Sequence, residues 1–357
     1  MQKIALLLPS NIWYSPFLTI YTQLLDKTGV DYDIISWNRD GKDDKIGIQY
    51  NGTAIIKGLP VMFSKLLTYY KFISFVKKKI KENQYDKLIV FCPQLAIILS
   101  SFLKKNFKSK YIFDYRDLSI EQKPILKRIF KIVLNNSYAN VISSPGFKRC
   151  LPKGFHYYLS HNFDYEVVKK AITTSSLDTL DGERKIYTVG GIRDFSSNIE
   201  VVKGVANINN YSVHFIGRGF ASDQIKKYCD EHKIENVFFH GYYKKDEEGD
   251  IVKSSSFLNI FYPRIITHDT AISNRFYNSL IYKKPMIVTK NTTQGDYAEK
   301  YGVGLAVDCC DNLKENIESY INKYDAEKYS KNCNILLKEF LDDYEEFKNI
   351  VLNFATN

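Results

Sequence analysis

Ile272 to Thr289, ISNRFYNSLIYKKPMIVT, sets the reading of the whole chain. Ser273 or Asn274 can cap a helix, and Phe276, Tyr277, Leu280 and Ile281 recur at helical spacing. Lys283, Lys284 and Pro285 stop that helix before the apolar run Met286 to Val288, a buried strand. The pattern therefore puts Asn274, Arg275 and Asn278 in the first turns. A helix N-terminus carries partial positive charge and unpaired backbone N–H groups, which suit an anion such as a diphosphate. On pattern alone, the same stretch also fits an ordinary amphipathic helix of an α/β domain.

Working outward, short apolar runs alternate with helical patterns. In the first half, strands are expected at Ile4–Leu8, Asp33–Trp37, Lys87–Cys92, Tyr111–Asp114 and Asn140–Ser143. Helices are expected at Trp13–Leu25, Leu66–Ile80 and from Leu95, and Arg39 to Lys57 reads as a loop with a small strand near Ile46–Gln49. In the second half, strands are expected at Ile186–Val189, Val213–Ile216, Val237–His240, Phe257–Phe261 and Gly302–Val307. Helices follow at Asn198–Ile208, Gln224–His232 and from Asp311 to the end, and polar Ala171 to Arg184 reads as a surface excursion. Such alternation predicts doubly wound, mostly parallel sheets, with ligands at the carboxyl ends of the strands.

The 357 residues, 45% hydrophobic and 25% charged, suit two globular domains. MQKIALLLPS is too short in its apolar part for a signal peptide and reads as a first strand. Leu88 to Leu103 is broken by Pro93 and Gln94 and fits a strand and a helix rather than a membrane span. Six cysteines without a Cys-x-x-Cys pair or partnering histidines point to a reducing, cytoplasmic compartment and to no metal site.

Charge is uneven. Residues 1–165 hold 25 lysines and arginines against 12 carboxylates, whereas residues 166–357 hold 25 against 28. The basic, aromatic-interleaved YYKFISFVKKKIK suits an anionic membrane surface, and equally a solvated helix face. No signature of a nucleic-acid-binding module accompanies the charge, so no nucleic-acid partner is expected.

The strand-end rule singles out Pro9-Ser10-Asn11, Pro93-Gln94, Asp114-Tyr115-Arg116-Asp117 and Ser143-Ser144-Pro145 in the first half. In the second half it singles out Gly190-Gly191-Ile192-Arg193-Asp194, Gly217-Arg218-Gly219 and Gly241-Tyr242-Tyr243. Glycines let a backbone approach phosphate closely, and arginine offers a bidentate charge. The plain readings stay open beside these: Arg116 and Asp114 as a structural ion pair, Arg218 in a solvated turn, Tyr243 as an exposed tyrosine, and His161 as a structural histidine.

ISNRFYNSLIYKKPMIV resembles the helix of retaining, family-four GT-B glycosyltransferases, written Asn-Lys-x-x-Glu-x-x-x-x-Gly-Lys-Pro-hydrophobic-Ile. Arg275 stands at the basic position, Lys284-Pro285 at the Lys-Pro, and Asn278 where the family has a carboxylate that accepts from ribose hydroxyls. VFFHGYY resembles the family's Val-x-Phe-x-Gly element, YYLSHNFDY its interdomain connector, and YIFDYRD its Asp-x-Arg-Asp strand end. The resemblance implies an α/β GT-B fold, with two Rossmann-like domains facing a central cleft and a C-terminal helix crossing back to the first. It places an acceptor-binding domain at 1–165, a nucleotide-sugar-binding domain at 166–335 and the returning helix at 336–357.

The implied activity is metal-independent transfer of a hexosyl group from a nucleotide-diphosphate sugar. The acceptor would be a glycan or a polyprenyl-phosphate-linked glycan, in bacterial surface or capsular polysaccharide synthesis. The donor sugar is a co-substrate and no cofactor is implied. Donor-side candidates are Gly190, Gly191, Arg193, Gly217, Arg218, Tyr243, Asp269, Asn274, Arg275 and Asn278. Acceptor-side candidates are Ser10, Asn11, Arg116, Asp117 and His161, and Asp117, Arg193 and Arg275 are the catalytic candidates. The expected location is cytoplasmic, with peripheral contact at the inner face of the plasma membrane. Two other readings stand at this point: a nucleotide-sugar epimerase of the same fold, and a non-catalytic sugar-nucleotide or glycan-binding scaffold, the latter because Asn278 replaces a carboxylate.

Overall fold

The structure, a computed structural model, describes residues 2–41, 46–53, 55–58, 60–174 and 180–357. Parts of the expected loop Arg39 to Lys57 and of the expected excursion Ala171 to Arg184 lie outside the described residues. The chain divides into two compact units, Met1–Asn162 with Asp343–Asn357, and Phe163–Asp342.

The first unit runs β1 (Lys3–Leu8), α1 (Leu18–Asp26), β2 (Asp31–Asn38), β3 (Ile48–Asn51), α2 (Val61–Asn83), β4 (Lys87–Phe91), α3 (Pro93–Asn106), β5 (Tyr111–Tyr115), α4 (Pro124–Asn136), β6 (Ala139–Ile142) and β7 (Tyr158–Leu159). Its strands form one parallel sheet in the order β3-β2-β1-β4-β5-β6-β7 among the described residues. Residues 4–8 of β1 and 88–91 of β4 are buried without interruption, as expected of central parallel strands covered on both faces.

The second unit runs α5 (Tyr165–Ala171), β8 (Arg184–Val189), α6 (Phe195–Gly204), β9 (Tyr211–Ile216), α7 (Ser222–Glu231), β10 (Val237–Gly241), α8 (Glu248–Lys253), β11 (Phe257–Ile260), α9 (Ile266–Thr270), α10 (Asn274–Ile281), β12 (Met286–Thr289), α11 (Thr293–Tyr301), β13 (Gly304–Val307), α12 (Leu313–Ile321) and α13 (Ala326–Thr356). Its parallel sheet has the order β10-β9-β8-β11-β12-β13. The order reverses between β8 and β11, which makes the ends of those two strands the switch point where such sheets take ligands. From Asp343 onward α13 belongs to the first unit, where Phe347 packs on Tyr21 with ring centroids 5.1 Å apart.

Two helix expectations need correcting. Trp13–Leu25 is not one helix but a 3-10 turn at Ile12–Tyr14 followed by α1, because Ser15-Pro16 interrupts the backbone ladder between them. The stretch from Asp311 is likewise two helices, α12 and α13, separated at 322–325. The defining stretch behaves as read. Ser273 caps α10 by accepting from the Phe276 N–H, and the helix closes with Lys283 in the left-handed region at φ 55. The Lys284 N–H then returns to the Ser279 carbonyl at 2.9 Å, the long bond of a Schellman cap.

Candidate functional site

The second unit contains a cleft of ≈ 320 Å³ at its switch point. Its walls come from the β8 end (Val189, Gly190, Gly191, Arg193, Asp194), from Tyr243 and Glu248, and from α10 and its approach (Ser273, Asn274, Arg275, Asn278). Seven of the ten donor-side candidates therefore share one cavity. Gly217, Arg218 and Asp269 are not among the lining residues: Arg218 is exposed, and the Asp269 carboxylate is held by Arg264 at 2.9 Å.

Arg275 is largely buried, and its guanidinium is committed to backbone. Nε donates to the Val189 carbonyl at 2.6 Å, Nη1 to Asn259 at 3.1 Å and Nη2 to Gly191 at 2.9 Å. Parallel strands leave their last carbonyls without ladder partners, and Arg275 satisfies those of β8 and of the neighbouring strand β11. It thereby fixes the Gly190-Gly191 turn that forms one wall. Arg193, by contrast, is exposed at the cleft and offers its charge to an anion.

The turn is also held from below. Gly217 has φ +133, and a Cβ built there would lie 2.0 Å from the Gly190 carbonyl oxygen. A Cβ on Gly219 would lie 1.9 Å from the Ile192 oxygen. The Gly-Arg-Gly run thus supports the turn backbone against backbone. Gly217→Ala is expected to cost about 2 kcal/mol or more, because a backbone atom cannot step aside and the φ is unfavourable for a side chain. Urea unfolding measures this. Gly154→Ala, at φ +86 with open space around it, gives the cost of φ alone, and an equal loss in both variants would remove the packing argument.

Glu248, which the sequence reading missed inside the charged run KKDEEGD, brings a carboxylate to Asn278. Its Oε1 accepts from Asn278 Nδ2 at 2.8 Å and its Oε2 from the Tyr243 hydroxyl at 2.6 Å, and Lys245 Nζ lies 2.5 Å from Oε1. Burial raises the Glu248 carboxyl, but the hydrogen bonds from Lys245, Tyr243 and Asn278 outweigh it and hold the group below its usual value. Glu248 is therefore ionised at neutral pH, and the stability it contributes is lost only as pH falls through that lowered value. The first residue of α8 thus places a carboxylate next to Asn278. Gln294, also unanticipated, accepts from the Ser273 N–H and hydroxyl at 3.0 and 2.8 Å and so fixes the α10 cap at the cleft.

The acceptor-side candidates all lie in the first unit, after the carboxyl ends of β1, β5 and β7. Asn11 is buried, donating to Asn38 Oδ1 at 2.9 Å and accepting from the Arg39 N–H at 3.0 Å. The Ser10 hydroxyl sits 3.5 Å from that of Ser15. Arg116 is buried with its Nε 2.6 Å from Asp114 Oδ1, and its Nη2 donates to Oδ2 at 2.7 Å. The structural ion pair is thus the arrangement present, and Asp117 is left exposed beside it. His161 is buried against Asp343 at 3.0 Å, and desolvation holds its imidazole below the usual value although Asp343 opposes this. Among the described residues no group of three or more His, Cys, Asp or Glu is placed to hold a metal ion.

No protein-family model and no curated protein sequence matches the chain. Solved structures do. The sucrose-phosphate synthase of Thermosynechococcus elongatus is similar over 99% of this chain and 98% of its own, at 14% identity and a TM-score of 0.67. HepE of Anabaena in complex with UDP is similar over the whole of both chains, at 11% identity and a TM-score of 0.69. The lipopolysaccharide outer core galactosyltransferase WaaB is similar over 97% of this chain and 99% of its own, at 14% identity and a TM-score of 0.68. At these identities the likeness speaks for architecture, and together with the two parallel sheets it establishes that the chain has the GT-B fold.

Proposed function

We propose that the protein is a glycosyltransferase that moves a hexosyl group from a nucleotide-diphosphate sugar to a glycan or polyprenyl-phosphate-linked acceptor. The reading includes retention of configuration and a place in bacterial surface polysaccharide synthesis. The observation that carries it is the second-unit cleft, where a Gly-Gly turn, exposed Arg193 and the capped N-terminus of α10 share one cavity with the Glu248–Asn278–Tyr243 group. The fold supports it, since similar structures include HepE with UDP, with UDP and glucose, and with UDP-glucose.

Chemically, the bond from the anomeric carbon to the diphosphate breaks, a bond to the acceptor oxygen forms, and the acceptor proton leaves with the diphosphate. Negative charge grows on the departing phosphate, and Arg193 with the helix terminus would neutralise it without a metal. With retention, the acceptor attacks from the face the diphosphate leaves, so no separate strong base is required. Glu248 is an acceptor-only group able to take hydrogen bonds from the vicinal hydroxyls of a ribose. Asp117 is assigned to the acceptor side. Among the described residues no helix is long and apolar enough to cross a membrane, and the proposed location is cytoplasmic with contact at the inner membrane face.

A thermal-shift screen against UDP, GDP, ADP, CMP and their common sugars tests the reading. A ligand at a hundred times its dissociation constant adds about 2.7 kcal/mol to stability, so one base should stand out. Acceptor-dependent nucleotide release should follow for the matching sugar, and no shift with any nucleotide would sink the proposal. Glu248→Gln is expected to weaken binding of that nucleotide about tenfold, the worth of a hydrogen bond to a charged acceptor. Calorimetric titration reads this, and unchanged affinity would remove Glu248 from the site.

A further inference from the structure

The first two turns of α2 are amphipathic in the reverse sense. Ser64 and Thr68 are buried at 0% and 4% exposure, while Phe63, Leu66, Leu67 and Tyr70 are exposed at 57%, 69%, 45% and 70%. The exposed four stand at i, i+3, i+4 and i+7, one face of a helix. Farther along, the helix turns ordinary, with Phe72, Ile73, Val76 and Ile80 buried. Its outward face passes through Ser74 to Lys77, Lys78 and Lys81, all exposed. From Ile55 to Lys81 the chain has seven lysines and no carboxylate. Tyr69, on the same turn, accepts from Arg39, and the adjacent Asp40 accepts from exposed Tyr14, so an aromatic of the β1–α1 connection stands at the same end.

We infer that the outward face of α2 is a docking surface for an anionic lipid bilayer. A helix lying in the plane of the head groups puts its apolar side chains at the acyl boundary and its lysines on the phosphates. An apolar row continued by lysines, where Glu82 is the one carboxylate of the helix and is paired at 2.9 Å with Lys79 and 3.7 Å with Lys78, matches that environment at both ends. A second copy packed in parallel through this face would set Lys77, Lys78 and Lys81 against like charges, whereas acidic head groups meet all three with opposite charge. The surface differs from the one the lysine tract alone suggests. The aromatic Phe72 inside that tract points inward, and the apolar contact comes from Tyr70 at its start together with Phe63, Leu66 and Leu67 before it. The inference rests on the glycosyltransferase reading only for its purpose, which is to bring the enzyme to a lipid-borne acceptor.

Co-sedimentation of the full chain with phosphatidylcholine vesicles, and with phosphatidylcholine–phosphatidylglycerol vesicles, tests it. The chain should pellet with the anionic vesicles and stay in solution with the neutral ones. Leu66→Ser with Tyr70→Ser should lower the partition by about tenfold or more, because each exposed apolar side chain loses its transfer into the boundary. Lys77→Glu with Lys78→Glu should lower it comparably, most strongly at low salt. These positions are exposed, so unchanged melting temperatures in both pairs establish that folding is intact. Absence of binding to anionic vesicles, or binding that neither pair of substitutions weakens, overturns the inference. A lipid-free dimer that Leu66→Ser with Tyr70→Ser dissociates also overturns it, in favour of a second copy. Nucleotide-induced stabilisation is read separately: vesicle binding without it defeats the glycosyltransferase reading and leaves the surface standing, and the converse defeats the surface alone.

Discussion

Arg275→Ala is expected to lower the unfolding free energy by about 3 kcal/mol and, with it, to abolish the stabilisation that a matching nucleotide gives. The estimate follows from what the guanidinium holds. Three carbonyls, those of Val189, Asn259 and Gly191, lose a charged donor at once, and a buried carbonyl left unpaired costs about 1–3 kcal/mol. Some of that is recovered where water reaches the cleft, which keeps the total well below the sum. The binding loss has the same origin, since the Gly190-Gly191 turn is freed from the end of β11. Arg275→Lys should rescue little, because one ammonium on a flexible stem cannot reach three carbonyls in the fork geometry. Urea unfolding and the nucleotide thermal shift read the two effects independently. If Arg275→Ala were as stable as the wild type yet failed to bind nucleotide, Arg275 would be a ligand contact and not a positioning residue.

The backbone partners of Arg275 mark where sequence stops speaking. The central strands of both sheets were legible because they are apolar on both faces, whereas the two-residue edge strand β7, inside YYLSHNFDY, was not anticipated. Ile4–Leu8 and Met286–Val288 therefore stand out from any neighbouring helix. The helix from Asn274 was legible because Ser273 is a good cap and its apolar residues keep a strict helical period. Other helices were missed for different reasons: α4, PILKRIFKIVLNN, is strongly amphipathic, with Phe130, Val133 and Leu134 buried, but went unread among its lysines and arginine, whereas α11, TQGDYAEKY, has only Ala298 and two tyrosines as apolar residues. The partners of Arg275 were invisible for a different reason: they are backbone carbonyls, and a carbonyl has no residue type to recognise. Glu248 was hidden in a run of charges that reads as solvated, and only the packing of α8 beside α10 brings its carboxylate to Asn278. The reversed face of α2 was legible in principle, since Phe63, Leu66, Leu67 and Tyr70 repeat at helical spacing. Which side of the helix faces the sheet was not.

Asp114→Ala is expected to be the more damaging change in the first unit, at about 3–5 kcal/mol, the cost of leaving a buried charge without its partner. Asp114 is fully buried and Arg116 nearly so, and the Tyr21 hydroxyl donates to the same carboxylate at 2.5 Å. Removing the carboxylate strands a guanidinium and a hydroxyl together. Arg116 would keep its bonds to the Ser160 carbonyl and hydroxyl, at 3.1 and 3.0 Å, and its place over the Phe17 ring, 4.5 Å from the centroid. None of these offsets a missing negative charge. The pair itself contributes little net stability, because both ions were taken out of water to make it. Asp114→Leu combined with Arg116→Met should therefore recover most of the loss, and a double-mutant cycle followed by urea unfolding measures the coupling. A single-variant loss below about 1 kcal/mol would mean that water reaches the site and that the pair is not insulated. The same pairing separates the two carboxylates of YIFDYRD by role. With Asp114 spent on Arg116, Asp117 is the carboxylate of the stretch left exposed. Asp117→Ala should leave stability within about 0.5 kcal/mol while lowering acceptor-dependent transfer, a combination that Asp114→Ala cannot produce.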